Sequence, residues 1–252
     1  MVAAAGGSGV TDDGGDPFRH HPGLRGRIAD PETSFWRGFR PADFDAQVMA
    51  WGAPADWRFS DNQIEAAREA FFAGNADDLW VFAYGSLMWD PGFRFSEVRR
   101  GRAAGYARRF CLRDDLGGRG TPELPGLMAA LDRGAACEGL VFRLRAAELE
   151  SETAILWRRE MIAPSYLPEI IAVDTDLGPL EALTFVADHR APMIRADIGR
   201  AEQVRLLATG CGILGTSLHY IETLVAQLDA LGIEDAEVAD LLAEARSAAK
   251  DP

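Results

Sequence analysis

The stretch Trp80-Val-Phe-Ala-Tyr-Gly-Ser-Leu-Met-Trp-Asp-Pro-Gly-Phe93 constrains this chain more than any other. Trp80 to Tyr84 joins aromatic, β-branched and small apolar residues, the composition of a buried strand. The run breaks at Gly85-Ser86, and Pro91-Gly92 marks a second turn. A strand that stops at a glycine can turn successive backbone N–H groups towards one point. Converging donors of that kind bind an anion or a developing oxyanion. Taken alone, the same residues also fit an ordinary strand end followed by a reverse turn.

The chain has 252 residues, enough for one sizeable domain plus an extension, or for two small domains. Lys and Arg number 26 against 39 Asp and Glu, a net charge of -13. So acidic a surface repels phosphate backbones and anionic lipid, which argues against nucleic-acid or membrane-surface partners. An anionic small molecule remains compatible, because a pocket sets its own local potential. No apolar run approaches the roughly 18 residues of a membrane helix, and the N-terminus lacks the basic and apolar regions of a secretory signal. Cys111, Cys137 and Cys211 are odd in number and form no Cys-x-x-Cys. That pattern predicts free thiols in a reducing compartment, not a disulfide framework or structural zinc. The expectation is a soluble cytoplasmic protein.

Residues 1–30 are rich in Gly, Ala and Asp and are expected to form a disordered tail; the His20-His21 pair there lacks a third metal ligand. Residues 31–75 bring Phe35, Trp36, Phe39, Phe44, Trp51, Trp57 and Phe59, so this segment is expected to dock on the main domain. It ends in a helix capped near Ser60 and closed by Gly74-Asn75. The main domain is placed at 76–250. Strands are predicted at 80–84, 99–112, 127–132, 136–143, 170–174 and 180–187, with Asp132-Arg133-Gly134 as a turn between two of them. Helices are predicted at 146–161, 201–208, 218–231 and 238–248, with Ser217 and Asp235 as N-caps. The fold class is α+β, with a mixed or antiparallel sheet and a helical C-terminus.

Glu160 is the most informative single residue. Leu149, Thr153, Leu156 and Trp157 recur at spacings of three and four along one helix, and Glu160 continues that apolar face while Arg158 and Arg159 are rotated away from it, with stems long enough for either to lean back. An inward carboxylate is costly unless paired or protonated, and burial raises its pKa, as a base working near neutrality requires. A helix-end Glu paired with an arginine fits the phase equally well. Gly210-Cys-Gly-Ile-Leu-Gly215 matches G-x-G-x-x-G but lacks its βαβ setting. Ser86 with His189 and Asp188 is a possible hydrolase triad, though without a nucleophile elbow.

Five stretches, in order, carry a resemblance. Tyr84-Gly-Ser-Leu-Met-Trp-Asp-Pro-Gly-Phe93, Arg108-Arg-Phe-Cys-Leu112, Arg119-Gly-Thr-Pro-Glu-Leu-Pro-Gly-Leu127, Arg159-Glu160-Met161 and Leu183-Thr-Phe-Val-Ala-Asp188 resemble the ChaC family of γ-glutamylcyclotransferases. The likeness spans about residues 80–245 and leaves the first 75 outside. Met88 and the loop around Cys211 depart from the family pattern. The resemblance implies a compact mixed β-barrel with flanking helices and a pocket at one end. It implies a lyase-type reaction that splits a γ-glutamyl peptide, glutathione above all, into 5-oxoproline and the remaining dipeptide. Glu160 takes the place of the family's base, and Tyr84, Gly85, Ser86 and Leu87 that of the loop holding the γ-glutamyl group. Arg109, Arg119 and Tyr220 are further candidates, the arginines for a substrate carboxylate and the tyrosine for closing the pocket. The nucleophile comes from the substrate, so neither metal nor cofactor is called for. A non-catalytic γ-glutamyl or peptide-binding regulator of a partner protein is the alternative.

Overall fold

The structure is a computed structural model and describes residues 15–250. Its centre is a closed barrel of five strands: β1 (Leu79–Ala83), β2 (Glu97–Asp114), β3 (Gly126–Leu144), β4 (Tyr166–Thr175) and β5 (Leu180–Ala187). They run in the order β1-β3-β2-β4-β5. The β1–β3, β2–β3, β2–β4 and β4–β5 pairs are antiparallel, and β5 closes the ring through parallel bridges to β1 at Val81↔Leu183 and to β3 at Leu131↔Val186. The barrel is therefore mixed, as expected. Val81, Phe82 and Ala83 are fully buried, consistent with β1 having neighbours on both edges and packing on both faces.

Two strands differ from the sequence reading: β4 begins at Tyr166 and not at residue 170, and β3 is undivided. The expected strands at 127–132 and 136–143 are one continuous strand, β3, paired with β2 along nearly its whole length. Gly134 is not a turn. A Cβ there would sit 2.4 Å from the Ala107 Cβ, so glycine lets two strands approach at a sharp bend. The partner strand carries a register shift between Ala104 and Tyr106, with Gly105 at φ 83°. Strands this long must coil to stay on a closed barrel, and bulges supply the bend.

The helices surround the barrel. Before β1 come α1 (Phe35–Gly38), α2 (Asp45–Ala50) and α3 (Asp61–Phe71), the last opened by a Ser60–Gln63 capping box. Between β3 and β4 lies α4 (Leu149–Glu160), whose Leu149, Thr153, Leu156 and Trp157 are buried as the spacing predicts. After β5 follow α5 (Arg200–Thr209), a small hairpin of β6 (Cys211–Gly212) and β7 (Gly215–Thr216), α6 (Ser217–Ala230) and α7 (Ala236–Ala248). Asp235 caps α7 as expected, but Thr216 and not Ser217 caps α6. Ser217 is instead buried, accepting from the Leu127 N–H and donating to the Arg119 carbonyl.

The N-terminal region is bound to the barrel. Residues 1–14 of the expected tail lie outside the described residues. Beyond them Leu24 and Ile28 are buried in the main core, and the His21 ring accepts from the Arg100 N–H of β2 at 2.9 Å. A disordered tail through residue 30 is therefore not what the structure contains; the few large side chains of this segment find core partners. Residues 34–59 then form a strap. Ser34 donates to Asp90 (2.7 Å), Arg37 donates to the fully buried Glu152 on α4 (3.1 and 3.2 Å), and the Phe59 N–H donates to the Ile162 carbonyl (2.9 Å).

Candidate active site

A cavity of about 390 Å³ opens at one end of the barrel, and four pieces of chain meet there. The first is the turn after β1. Tyr84 ends the strand, Ser86–Met88 forms a single 3-10 turn, and Met88, Trp89 and Asp90 spend their N–H groups on the carbonyls of Gly85 and Ser86. The turn is gripped from behind. Arg108 Nε donates to the Tyr84 carbonyl (2.7 Å) and Gln227 Nε2 donates to the Met88 carbonyl (2.9 Å). Gly85 leaves room in front: a Cβ there would lie 3.0 Å from the Tyr220 hydroxyl oxygen.

The second piece is the end of α4. Glu160, its last residue, reaches the cavity with its side chain 13% exposed, and Arg159 Nε lies 3.0 Å from Glu160 Oε1. Burial pushes the Glu160 carboxyl above the usual carboxylate range, opposed by the charge and hydrogen bond of Arg159. Arg159 takes the lean-back that its helical phase left open. Its helical phase turns it away from the apolar face, yet its long stem leans back and its side chain is 2% exposed. Its guanidinium donates to Ser86 Oγ (2.6 Å) and to the Asp90 carbonyl, and stands 4.4 Å from the ring centre of Trp36. One buried cation thus ties Glu160 to the turn.

The third piece is the start of α6, where Tyr220 is buried and stacks edge-on against Trp89. Burial pushes its hydroxyl up to about 12, with Arg108 and Arg119 holding it down in part. Tyr84 and Tyr166 complete the wall. The Tyr84 hydroxyl donates to the Phe185 carbonyl (3.0 Å), Tyr166 lies in hydrogen-bond reach of it, and both are raised well above the usual tyrosine value by burial. The fourth piece is the loop after β2, which brings in Arg119. Its Nη1 is buried without a hydrogen-bond partner, its guanidinium lies 5.8 Å from the Tyr220 ring, and burial lowers its pKa. A buried, unpartnered guanidinium N–H is the kind of group a carboxylate satisfies.

Tyr84, Gly85, Ser86, Leu87, Arg119, Glu160 and Tyr220 all line this one cavity. Arg109 does not. It is exposed, and Arg108 is the buried member of the pair. The alternation that puts Tyr106 and Phe110 inside puts residue 108 inside with them, and that signal was available. Arg159, Arg108, Tyr166 and Gln227 were missed. Arg159 stood beside the base in sequence, whereas Tyr166 and Gln227 reach the site only through the tertiary fold. The serine triad is not assembled: Ser86 is engaged by Arg159, His189 pairs with Asp132 at 2.8 Å, and Asp188 pairs with Arg190. The Gly210–Gly215 motif is the β6–β7 hairpin, with no strand leading into it as a dinucleotide fold requires. Among the described residues no group of three or more His, Cys, Asp or Glu is placed to hold a metal ion.

Residues 79–248 match the family described as ChaC-like protein. The chain belongs to that family. This ChaC-like chain is 39% identical over 187 residues to the glutathione-specific gamma-glutamylcyclotransferase of Escherichia coli K12, covering 73% of this chain and 80% of that protein. It is 30% identical over 169 residues to glutathione-specific gamma-glutamylcyclotransferase 1 of mouse, covering 65% of this chain and 74% of the relative. The fold matches a crystal structure of a glutathione-specific γ-glutamyl cyclotransferase from yeast at a TM-score of 0.62 and 17% identity, over 68% of this chain and 96% of that one. The strap at 34–59 lies outside the family match.

Proposed function

We propose that this chain is a cytoplasmic γ-glutamylcyclotransferase that splits glutathione into 5-oxoproline and Cys-Gly. The observation that carries it is Glu160: a largely buried carboxylate, its side chain 13% exposed, with a raised pKa, facing a cavity beside a glycine turn and held by one arginine. The names of the relatives support the substrate. The absence, among the described residues, of a helix long and apolar enough to cross a membrane is compatible with the compartment.

The substrate supplies its own nucleophile. Its α-amine is an ammonium ion near neutral pH, and Glu160 takes one proton from it. The freed amine attacks the γ-carbonyl, a new C–N bond closes the five-membered ring, and the old amide C–N bond breaks. Glu160 returns the proton to the departing amine of Cys-Gly, and the second proton that the ring nitrogen sheds follows the same route, so the lactam keeps one N–H, Cys-Gly leaves as an ammonium ion and Glu160 is again a carboxylate. The turn at Gly85 to Leu87 offers backbone N–H groups to the α-carboxylate or to the tetrahedral oxyanion, and the missing Cβ at Gly85 lets the substrate come close. Arg119 Nη1 receives a substrate carboxylate. Arg159 opposes, by its charge and hydrogen bond, the rise in the Glu160 pKa that burial causes. Folding the glutamyl chain into its ring-closing shape supplies much of the remaining acceleration.

The test is release of 5-oxoproline from glutathione by the purified protein and by Glu160→Gln. Product from the wild type, with a loss of about 10²–10⁴-fold in a folded variant, is the expected result. Equal rates would remove Glu160 as the base. No product from the wild type would favour the non-catalytic binding reading.

A further inference from the structure

The cavity is chemically divided. Its deep end holds Glu160, Arg159, Arg119 and the hydroxyls of Ser86 and Tyr220. Its outer lining includes Phe35, Phe39, Phe44 and Trp57 of the strap together with Ile213 and Leu214; Phe35 is 47% exposed and Ile213 41%. The strap aromatics form one continuous surface: ring centres of Trp36 and Phe39 lie 5.1 Å apart, and those of Phe39 and Phe44 5.5 Å. Trp36 joins that surface directly to Arg159, and so to the carboxylate of Glu160. Whatever extends from a γ-glutamyl group bound at the deep end must therefore pass the aromatic wall.

Glutathione beyond its γ-glutamyl group consists of a short thiol side chain, a peptide bond and a carboxylate. Peptide and carboxylate lose hydration against aromatic carbon and gain nothing in return. The thiol side chain is too short to cover much of the wall. An apolar substituent carried on the sulfur is complementary to it, and covering exposed aromatic surface is favourable in proportion to the area removed from water.

Building on the γ-glutamyl reading above, we infer that the strap is a subsite for an apolar group on the substrate sulfur, so that the protein cleaves S-alkyl and S-aryl glutathione conjugates. The chemistry is unchanged. The substrate amine forms the ring C–N bond, the γ-amide C–N bond breaks, the proton passes through Glu160, and S-substituted Cys-Gly leaves with the thioether intact. No oxidant or further reactant enters.

The experiment compares 5-oxoproline release from glutathione and from S-methyl-, S-butyl- and S-hexylglutathione, using the full-length protein. Each methylene that reaches the wall should raise kcat/KM about two- to fourfold. In Phe44→Ala the ratio of S-hexylglutathione to glutathione kcat/KM should fall about tenfold, and in Phe44→Leu most of it should return. Because the ratio is taken within one preparation, a smaller folded fraction cancels. A flat or falling series from protein that cleaves glutathione would overturn the subsite and leave the reaction standing. So would a ratio that Phe44→Ala does not move. No product from any of the four compounds would remove the reaction itself, and the subsite with it.

Discussion

Glu160 is the residue whose environment makes a prediction with a definite sign. Burial raises its pKa above the ordinary 4.5 and Arg159 opposes the rise without cancelling it. The native state therefore binds more protons than the unfolded chain between these two values. The stability this gives is fully present below the unfolded value and is lost as pH rises through the folded one. Once ionised, the Glu160 carboxyl is held in this site at a cost to stability. In Glu160→Gln that proton dependence disappears. The urea midpoint of the variant relative to the wild type should accordingly climb as pH goes from about 4.5 upward, then level off once the folded carboxyl has ionised. A difference independent of pH would show that the carboxyl titrates normally. The neighbouring tyrosines leave this window clear, since Tyr84, Tyr166 and Tyr220 are all displaced upward from 10.0. The position of Glu160 was legible because a helix has one period and the glutamate kept it. For Arg159 the phase left two outcomes open: it fixes where a Cβ points, and a four-bond stem can carry the guanidinium back across the helix end, but which of Arg158 and Arg159 does so is set by the tertiary fold.

Among the elements, the strap and α4 are joined by the Glu152–Arg37 pair as well as by the contact of Arg159 with Trp36. Glu152 is fully buried, accepts two hydrogen bonds from Arg37, and also accepts from the Arg94 backbone N–H at 2.7 Å. In Glu152→Ala the Arg37 guanidinium loses its buried partner and the Arg94 N–H loses its acceptor. Removing one member of such a pair costs about 3 kcal/mol or more. Chemical denaturation should show that loss, and proteolysis should cleave between residues 34 and 59 sooner than in the wild type. Unchanged stability together with unchanged protection of the strap would mean that its aromatic contacts suffice to hold it. Sequence reading found the strap through its density of aromatic residues and found α3, α5, α6 and α7 through caps and periodicity. It divided β3 in two because Asp-Arg-Gly is ordinary turn chemistry. What overrides that chemistry is the long partner β2, which supplies a backbone for β3 to follow through the bend, where Gly134 is the residue that fits beside Ala107. Pairing of that kind is a tertiary fact, and no window of local sequence contains it.

At the scale of the whole molecule, a net charge of -13 surrounds a cavity whose deep end holds two arginines. Glutathione near neutral pH carries two carboxylates and one ammonium, and so one net negative charge. The far field repels it while Arg119 and Arg159 attract it at contact, and the two effects respond differently to salt. Long-range repulsion between exposed charges is screened as the Debye length falls from about 30 Å at 0.01 M to about 8 Å at 0.15 M. Attraction inside a partly enclosed cavity is screened much less, because ions do not readily enter it. Raising neutral salt across that range at fixed pH should therefore lower KM for glutathione by about twofold and leave kcat unchanged. Steady-state kinetics in sodium chloride measures both. A KM that rises with salt would mean that the arginines, and not the acidic envelope, govern capture of the substrate.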